Sequence, residues 1–290
     1  MLMKVLKWTA IAVGALIGLA VVLALSLQVM SISRERRQYA IAPEKLVLHA
    51  TPDRTRGEHL AQIGCVGCHG VDLGGQEMVN NALMGTIWSR NLTRGDGGIG
   101  ASFKTADFVR AIRFGVHEDG RSVLIMPTNA FEHFSDSDLA SIIAYVDSVP
   151  RVDRTTPGPR IGPLARVLSV LTPFPLYSAE HVEANATHTM PPPDDTLAYG
   201  TYLAAVGGCT ECHGSTLANG GNGPNITMGG PLRSWTEADF VRAIREGKRP
   251  DSTAISEAMP WKDFRKMTDA ELHALWIYIN SMPSLASKPK

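Results

Sequence analysis

The chain is short of cysteine. Four in 290 residues are too few for a fold stapled by disulfides. It has no surplus of either charge, 28 Lys/Arg against 28 Asp/Glu, which excludes a nucleic-acid binder working through a strongly basic surface. Charged residues make up only 19% against 44% hydrophobic, so wholesale disorder is excluded as well. Strand signals are also missing: no run alternates apolar and polar residues convincingly. The expected fold class is therefore all-α.

Charge is missing most conspicuously near the N-terminus. From Trp8 to Ser33, 26 residues carry none, whereas a membrane-spanning helix needs about 20 apolar residues. A secretory signal peptide has a shorter apolar core, about 7–15 residues, although Ala24-Leu25-Ser26 has the small-x-small look of a cleavage site. Residues 1–33 are read as a retained transmembrane anchor. Lys4 and Lys7 precede the apolar run, and Arg34, Arg36 and Arg37 follow it. The more basic C-terminal flank would keep the rest of the chain in the cytoplasm. Long domains translocate largely regardless of flanking charge, so the chemistry of the cysteines has to decide the side.

Beyond the anchor the chain repeats itself. The octapeptide Ala106–Arg113 (ADFVRAIR) recurs letter for letter at Ala238–Arg245, 132 residues on. Met126-Pro127 is matched by Met259-Pro260, and each copy closes on Ser-x-Pro, at Ser148–Pro150 and Ser281–Pro283. The expected organisation is one domain over 53–150, a linker over 151–195 with eight prolines, and a second domain over 196–284. The first copy holds 12 extra residues, most of them between His69 and Asn91, which places a longer loop near residues 74–90. Within each copy the pattern is helical. The octapeptide spaces Phe108, Ala111 and Ile112 for a buried face, with Arg110 and Arg113 opposite. Ser135 and Thr268 are expected to cap the last helices, Glu271 completing a capping box. Gly95–Gly100 reads as a surface loop, and Leu164–Leu171 as a short docking helix.

All four cysteines sit in two stretches, Cys65-Val66-Gly67-Cys68-His69 and Cys209-Thr210-Glu211-Cys212-His213. A thioredoxin-like pair needs a βαβ context that is absent. A zinc cluster would have to join two pairs lying about 140 residues apart, each inside its own repeat. Haem attachment explains every letter: two thiols bond the two vinyl groups of one haem, and the adjacent His binds its iron. Two covalently bound haem c groups are expected, on Cys65, Cys68 and His69 and on Cys209, Cys212 and His213. The other axial ligands are read as Met126 and Met259, each in the same aligned place before a proline. A thioether favours reduced iron and raises the reduction potential. Met78, Met84 and His117 are rivals in the first copy. The remaining histidines, His59 among them, are read as ordinary surface residues.

Residues 53–150 and 196–284 resemble class I c-type cytochromes. The wording Asn91-Leu92-Thr93 (Asn225-Ile226-Thr227), then Asp-Phe-Val-Arg-Ala-Ile-Arg, then Met-Pro is similar to the cytochrome c subunits of membrane-bound alcohol and gluconate dehydrogenases. That resemblance implies two tandem cytochrome c domains whose first and last helices cross, Gly57 facing Tyr145 and Gly200 facing Tyr278. It also implies a proline carbonyl orienting each proximal histidine. Pro224 fits that role for His213, but Arg90 stands at the matching place for His69. The expected function is single-electron transfer between a membrane or periplasmic donor (a quinol-linked complex or dehydrogenase) and a terminal acceptor, an oxidase or soluble cytochrome. No nucleic acid is involved. The alternative is a dihaem peroxidase with one open iron. Haem attachment outside the cytoplasmic membrane implies an inner-membrane protein with its haem domains periplasmic.

Overall fold

The computed structural model describes residues 2–182, 188–192, 196–218, 220 and 223–287. The parts of the linker at 183–187 and 193–195, Pro193 among them, lie outside the described residues.

Helix α1 (Leu2–Glu35) is one unbroken rod of 34 residues, apolar and long enough to cross a membrane. Only Leu27 and Ser31 on it are buried, which marks where it meets the rest of the chain.

Each repeat then lays down the same series. In the first come α2 (Arg54–Gly64), the single turn α3 (Val66–His69), α4 (Thr105–Phe114), α5 (Thr128–Phe131) and α6 (Asp136–Ser148). The expected caps are present: the Ser135 hydroxyl accepts from the Asp138 N–H at 3.1 Å. At the start of α2, Asp53 accepts from Thr55 and Arg56. Helices α2 and α6 cross where a Cβ on Gly57 would lie 1.9 Å from the Ser141 carbonyl oxygen. Only glycine permits that approach. The contact is one helical turn before Tyr145, the partner expected from the resemblance.

The absence of strands does not hold. The extra residues of the first copy form a hairpin, β1 (Glu77–Asn81) and β2 (Gly85–Trp88), extended by β3 (Arg160–Ile161). All three are antiparallel. The strands are too short for alternation to show in sequence, and β3 pairs across more than 70 residues. The linker is no free spacer, since after β3 it forms α7 (Pro163–Leu171), which packs on α1.

The second repeat gives α8 (Thr196–Val206), α9 (Cys209–His213), α10 (Glu237–Glu246), α11 (Trp261–Phe264) and α12 (Asp269–Ser281). The Thr268–Glu271 capping box is formed, at 2.9 and 3.2 Å. Helix α8 crosses α12 with Gly200 against the Ala274 carbonyl and the Cβ of Tyr278. One apolar cluster runs through both repeats, from Leu60 and Leu139 to Leu203 and Leu272.

The repeats meet through corresponding elements. Helix α2 touches α11, and α5 touches α8. At the centre Arg56 bridges Asp138 (3.1 Å) and Glu271 (2.7 Å). His59 donates to Glu271 at 2.7 Å, and Tyr202 mirrors it by donating to Asp138 at 2.7 Å. His59 is thus an interface residue, not an ordinary surface one.

The octapeptide's last arginine is a further correction. Arg113 is buried, not on a polar face. It donates to the Phe134 carbonyl at 2.8 Å and pairs with Asp136; Arg245 repeats this on Asp269. The repeated arginine ties the helix to the cap of the last helix.

Candidate haem sites

Cys65 ends α2 and opens α3. Its carbonyl accepts from the Cys68 and His69 N–H groups at 3.2 and 2.8 Å, so one turn carries both thiols and the imidazole. The turn stops at Gly70, φ +81°, and at Gly214, φ +79°, after α9. Both lie in the left-handed region that glycine enters without cost. The cysteines are free, and burial pushes Cys65 up to about 12 and Cys209 to about 11. Among the described residues no group of three His, Cys, Asp or Glu side chains could hold a metal ion.

Each histidine is oriented in the same way. His69 Nδ1–H donates to the Arg90 carbonyl at 2.9 Å, and His213 Nδ1–H to the Pro224 carbonyl at 2.7 Å. A carbonyl only accepts, so Nδ1 carries the proton and Nε2 keeps its lone pair for a metal. The mismatch of Arg90 with Pro224 therefore costs nothing, because the bond uses backbone. Burial lowers the pKa of His69, favouring the neutral imidazole that ligates.

The methionines lie on a second shared device. The Thr128 N–H donates to the Met126 carbonyl at 2.8 Å, and the Trp261 N–H to the Met259 carbonyl at 2.8 Å. The residue between is Pro127 (φ −76°, ψ 60°) or Pro260 (φ −78°, ψ 46°). This is an inverse γ-turn, and the proline ring presets its φ. The proline after each methionine thus aims the backbone, a role the sequence pattern did not disclose. In the first repeat the linker adds a clamp. Ser178 Oγ accepts from the Met126 N–H at 3.0 Å, and the Leu176 carbonyl from the Ile125 N–H. Ile125 itself is held at φ +58°, rare for a β-branched residue.

These parts enclose a cavity of ≈ 580 Å³ in the first repeat, lined by Cys65, Cys68, His69 and Met126 together with apolar groups such as Phe103, Ile112 and Ile142. Donor set and apolar walls fit a haem. Met78 and His117 are on the same lining, while Met84 instead gives its carbonyl to the Gly162 N–H. In the second repeat Cys209 and Met259 pack on the shared apolar cluster, and His213 is buried.

The Asn-x-Thr motif has a structural part. Asn91 Oδ1 accepts from the N–H and hydroxyl of Thr93, while its amide holds the Val152 carbonyl at 2.6 Å. Asn225 does the same with Thr227 and the Leu285 carbonyl, at 2.7 Å. Each motif straps down the segment that follows its repeat's last helix. Gly95–Gly100 lies under that strap, with Gly95 against the Val152 carbonyl, so it is not a free surface loop.

A helical scaffold presenting a C-x-x-C-H turn, a carbonyl-oriented histidine and a methionine on one apolar cavity defines a c-type cytochrome, which binds haem c covalently and transfers electrons. The comparisons agree. Residues 52–146 and 196–279, more than half of the chain, match the family described as cytochrome c oxidase, cbb3-type, subunit III, and the chain belongs to that family. It is 27% identical over 268 residues to the fructose dehydrogenase cytochrome subunit of Gluconobacter japonicus, covering 81% of this chain and 54% of that one. It is 29% identical over 267 residues to the cytochrome c subunit of alcohol dehydrogenase (quinone) from Gluconobacter oxydans (79% and 55%). With the gluconate 2-dehydrogenase cytochrome c subunit of Pantoea cypripedii it shares 30% over 260 residues (76% and 55%). The chain spans about half the length of the curated relatives it matches. All three are cytochrome subunits rather than catalytic ones.

Proposed function

We propose that the chain is a membrane-anchored dihaem electron carrier, with an anchor over 1–33, cytochrome c domains over 53–150 and 196–284, and a structured linker between them. Cys65 and Cys68 hold one haem c and Cys209 and Cys212 the other. His69 with Met126, and His213 with Met259, would hold the two irons. The observation that carries this reading is that both repeats build a carbonyl-oriented histidine and a methionine on a proline-set inverse γ-turn, which in the first repeat line one cavity.

Bound haem supplies one-electron chemistry at its iron. The chain's own residues do the rest. The histidine–carbonyl bonds raise the basicity of the proximal nitrogens, the methionine thioethers favour reduced iron, and the apolar walls keep water out. A histidine and a methionine holding each iron would leave it no position for a substrate, which suits a site that exchanges electrons. The relatives being subunits of dehydrogenases supports a membrane dehydrogenase as donor; the reading takes that or a quinol-linked complex as donor and a terminal oxidase or soluble cytochrome as acceptor. The haem domains lie on the periplasmic side of the cytoplasmic membrane, with Lys4 and Lys7 inside.

The test is electron paramagnetic resonance and near-infrared absorption of the ferric holoprotein. Two low-spin centres, each with a methionine–iron charge-transfer band, are expected. A high-spin signal from either centre would overturn the carrier reading.

A further inference from the structure

The anchor helix and the linker helix meet closely. Gln28 donates to the Pro163 carbonyl at 2.9 Å, Ser31 meets the Ser169 hydroxyl at 3.3 Å, and Glu35 pairs with Arg166 at 2.7 Å. Tyr177 donates to the Ser31 carbonyl at 2.9 Å. Arg34 grips Glu180 and the Ser169 carbonyl. Helix α7 therefore lies level with residues 28–35.

That level can be placed along the anchor. The charge-free stretch from Trp8 to Ser33 spans ~39 Å at 1.5 Å per residue, against a hydrocarbon core of about 30 Å. A core that starts at Trp8 ends near residue 27. The surplus turns, which carry Gln28, Ser31 and Ser33, stand in the headgroup layer, and α7 is bound to those turns.

Helix α7 has two faces. Ala165 and Ser169 are buried against α1. Leu164, Val167, Leu168 and Leu171 form a stripe at i, i+3, i+4 and i+7, the pattern of one helix face. None of the four packs on either apolar cluster among the described residues. Leu164 is 39% and Leu171 63% exposed. The tip of the β1–β2 hairpin extends the patch: the Leu164 N–H donates to the Leu83 carbonyl, and Leu83 is itself 57% exposed. Arg36 and Arg37, exposed at the end of α1, border the same level.

We propose that α7 and the β1–β2 hairpin tip are a membrane-surface device, lying in the bilayer interface with Leu83, Leu164 and Leu171 at the boundary between headgroups and acyl chains. The occupant of this apolar face is phospholipid. An apolar stripe whose ends, Leu164 and Leu171, are exposed, fixed at interface depth to a spanning helix, is an interfacial amphipathic helix. The consequence is orientation. The linker that follows α7 clamps the Met126 loop through Leu176 and Ser178, and Glu35 lines the first cavity. The first haem site is thereby held beside the membrane surface instead of swinging on a tether.

This rests on the spanning reading of α1, and the test separates the two. In the holoprotein the native thiols are consumed by haem, so an introduced cysteine is the only labelling site. Spin labels are placed at Leu19→Cys in mid-anchor, at Leu164→Cys and Leu171→Cys, and at Glu257→Cys as an aqueous reference, its side chain being 72% exposed. The full chain is reconstituted in phosphatidylcholine/phosphatidylglycerol vesicles, and collision with oxygen is compared with collision with a water-soluble nickel chelate. Labels at 164 and 171 are expected to fall between those at 19 and 257, gaining oxygen and losing nickel access. Values at 164 and 171 equal to that at 257, with 19 in the bilayer, would refute the interfacial helix and leave the anchor standing. An aqueous reading at 19 would refute the anchor and this proposal with it. Protection that vanishes when chains are diluted to one per vesicle would mean that a second copy covers the face, which also overturns the proposal.

Discussion

Replacing Glu271 by Gln tests how the two repeats are held together. The Glu271 carboxylate is 2% exposed and accepts from Arg56 (2.7 Å), His59 (2.7 Å), Tyr199 (3.2 Å) and the Thr268 N–H (2.9 Å). Burial pushes its pKa upward, but His59, the Thr268 N–H and Arg56 outweigh that and bring it from 4.5 down to about 2. At 1.36 kcal/mol per unit, such a depression corresponds to about 3 kcal/mol of folded-state stabilisation. Because the folded value is the lower one, the contribution is complete above the ordinary carboxylate range. It is lost as pH falls from about 4.5 towards 2. Glutamine can keep the Thr268 N–H bond through its one oxygen, but its NH2 then faces the Arg56 and Tyr199 donors, so the substitution removes the charge together with two of the four acceptances. The assay is guanidinium unfolding of the detergent-solubilised holoprotein at pH 7 and at steps down to pH 2.5. At pH 7 the variant is expected to lose about 3 kcal/mol, in the range found on breaking a buried pair, and the gap should close on acidification. A gap that stays constant with pH, or one below about 0.5 kcal/mol at pH 7, would refute the reasoning.

Gly57→Ala and Gly200→Ala each drive a methyl group into a backbone carbonyl of the crossing helix, at 1.9 and 2.0 Å. Each is expected to cost about 3 kcal/mol or more in thermal unfolding, and a neutral result would contradict the crossing. Met126→Ala and Met259→Ala are each expected to convert one haem to high spin and lower its potential, leaving the other unchanged, as read by spectroelectrochemistry. If the first spectrum does not change, Met78 or His117 is the ligand. Asn225→Ala removes the bond to Leu285 and the acceptor for Thr227. It should cost about 2 kcal/mol and make residues 283–287 sensitive to limited proteolysis, while intact protection would show that the strap is held elsewhere.

Much of the site was legible because its geometry is local. Cys65, Cys68 and His69 share one turn, so their spacing alone implies a common face, and the duplication removes chance. The helix caps at Ser135 and Thr268 were legible for the same reason. Arg90 does depart from proline at its position, but the structure shows that the bond needs only a backbone carbonyl, which arginine supplies as well. Arg113 was read as polar surface because helical periodicity places a residue on a face without naming what lies against it. His59 was read as ordinary because its partner Glu271 is more than 200 residues away.

From the sequence alone follow the two C-x-x-C-H turns, the duplication, the candidate methionines and an N-terminal helix long enough to span a membrane. Each depends on covalent spacing or on unbroken apolar length. Only the tertiary structure decided that a linker strand completes a sheet with the hairpin, that asparagines strap down the ends of the repeats, that Arg56 bridges both, and that the linker helix grips the anchor. These are pairings between distant segments, chosen by which buried polar groups can satisfy one another once the chain has closed, and no local pattern records that choice.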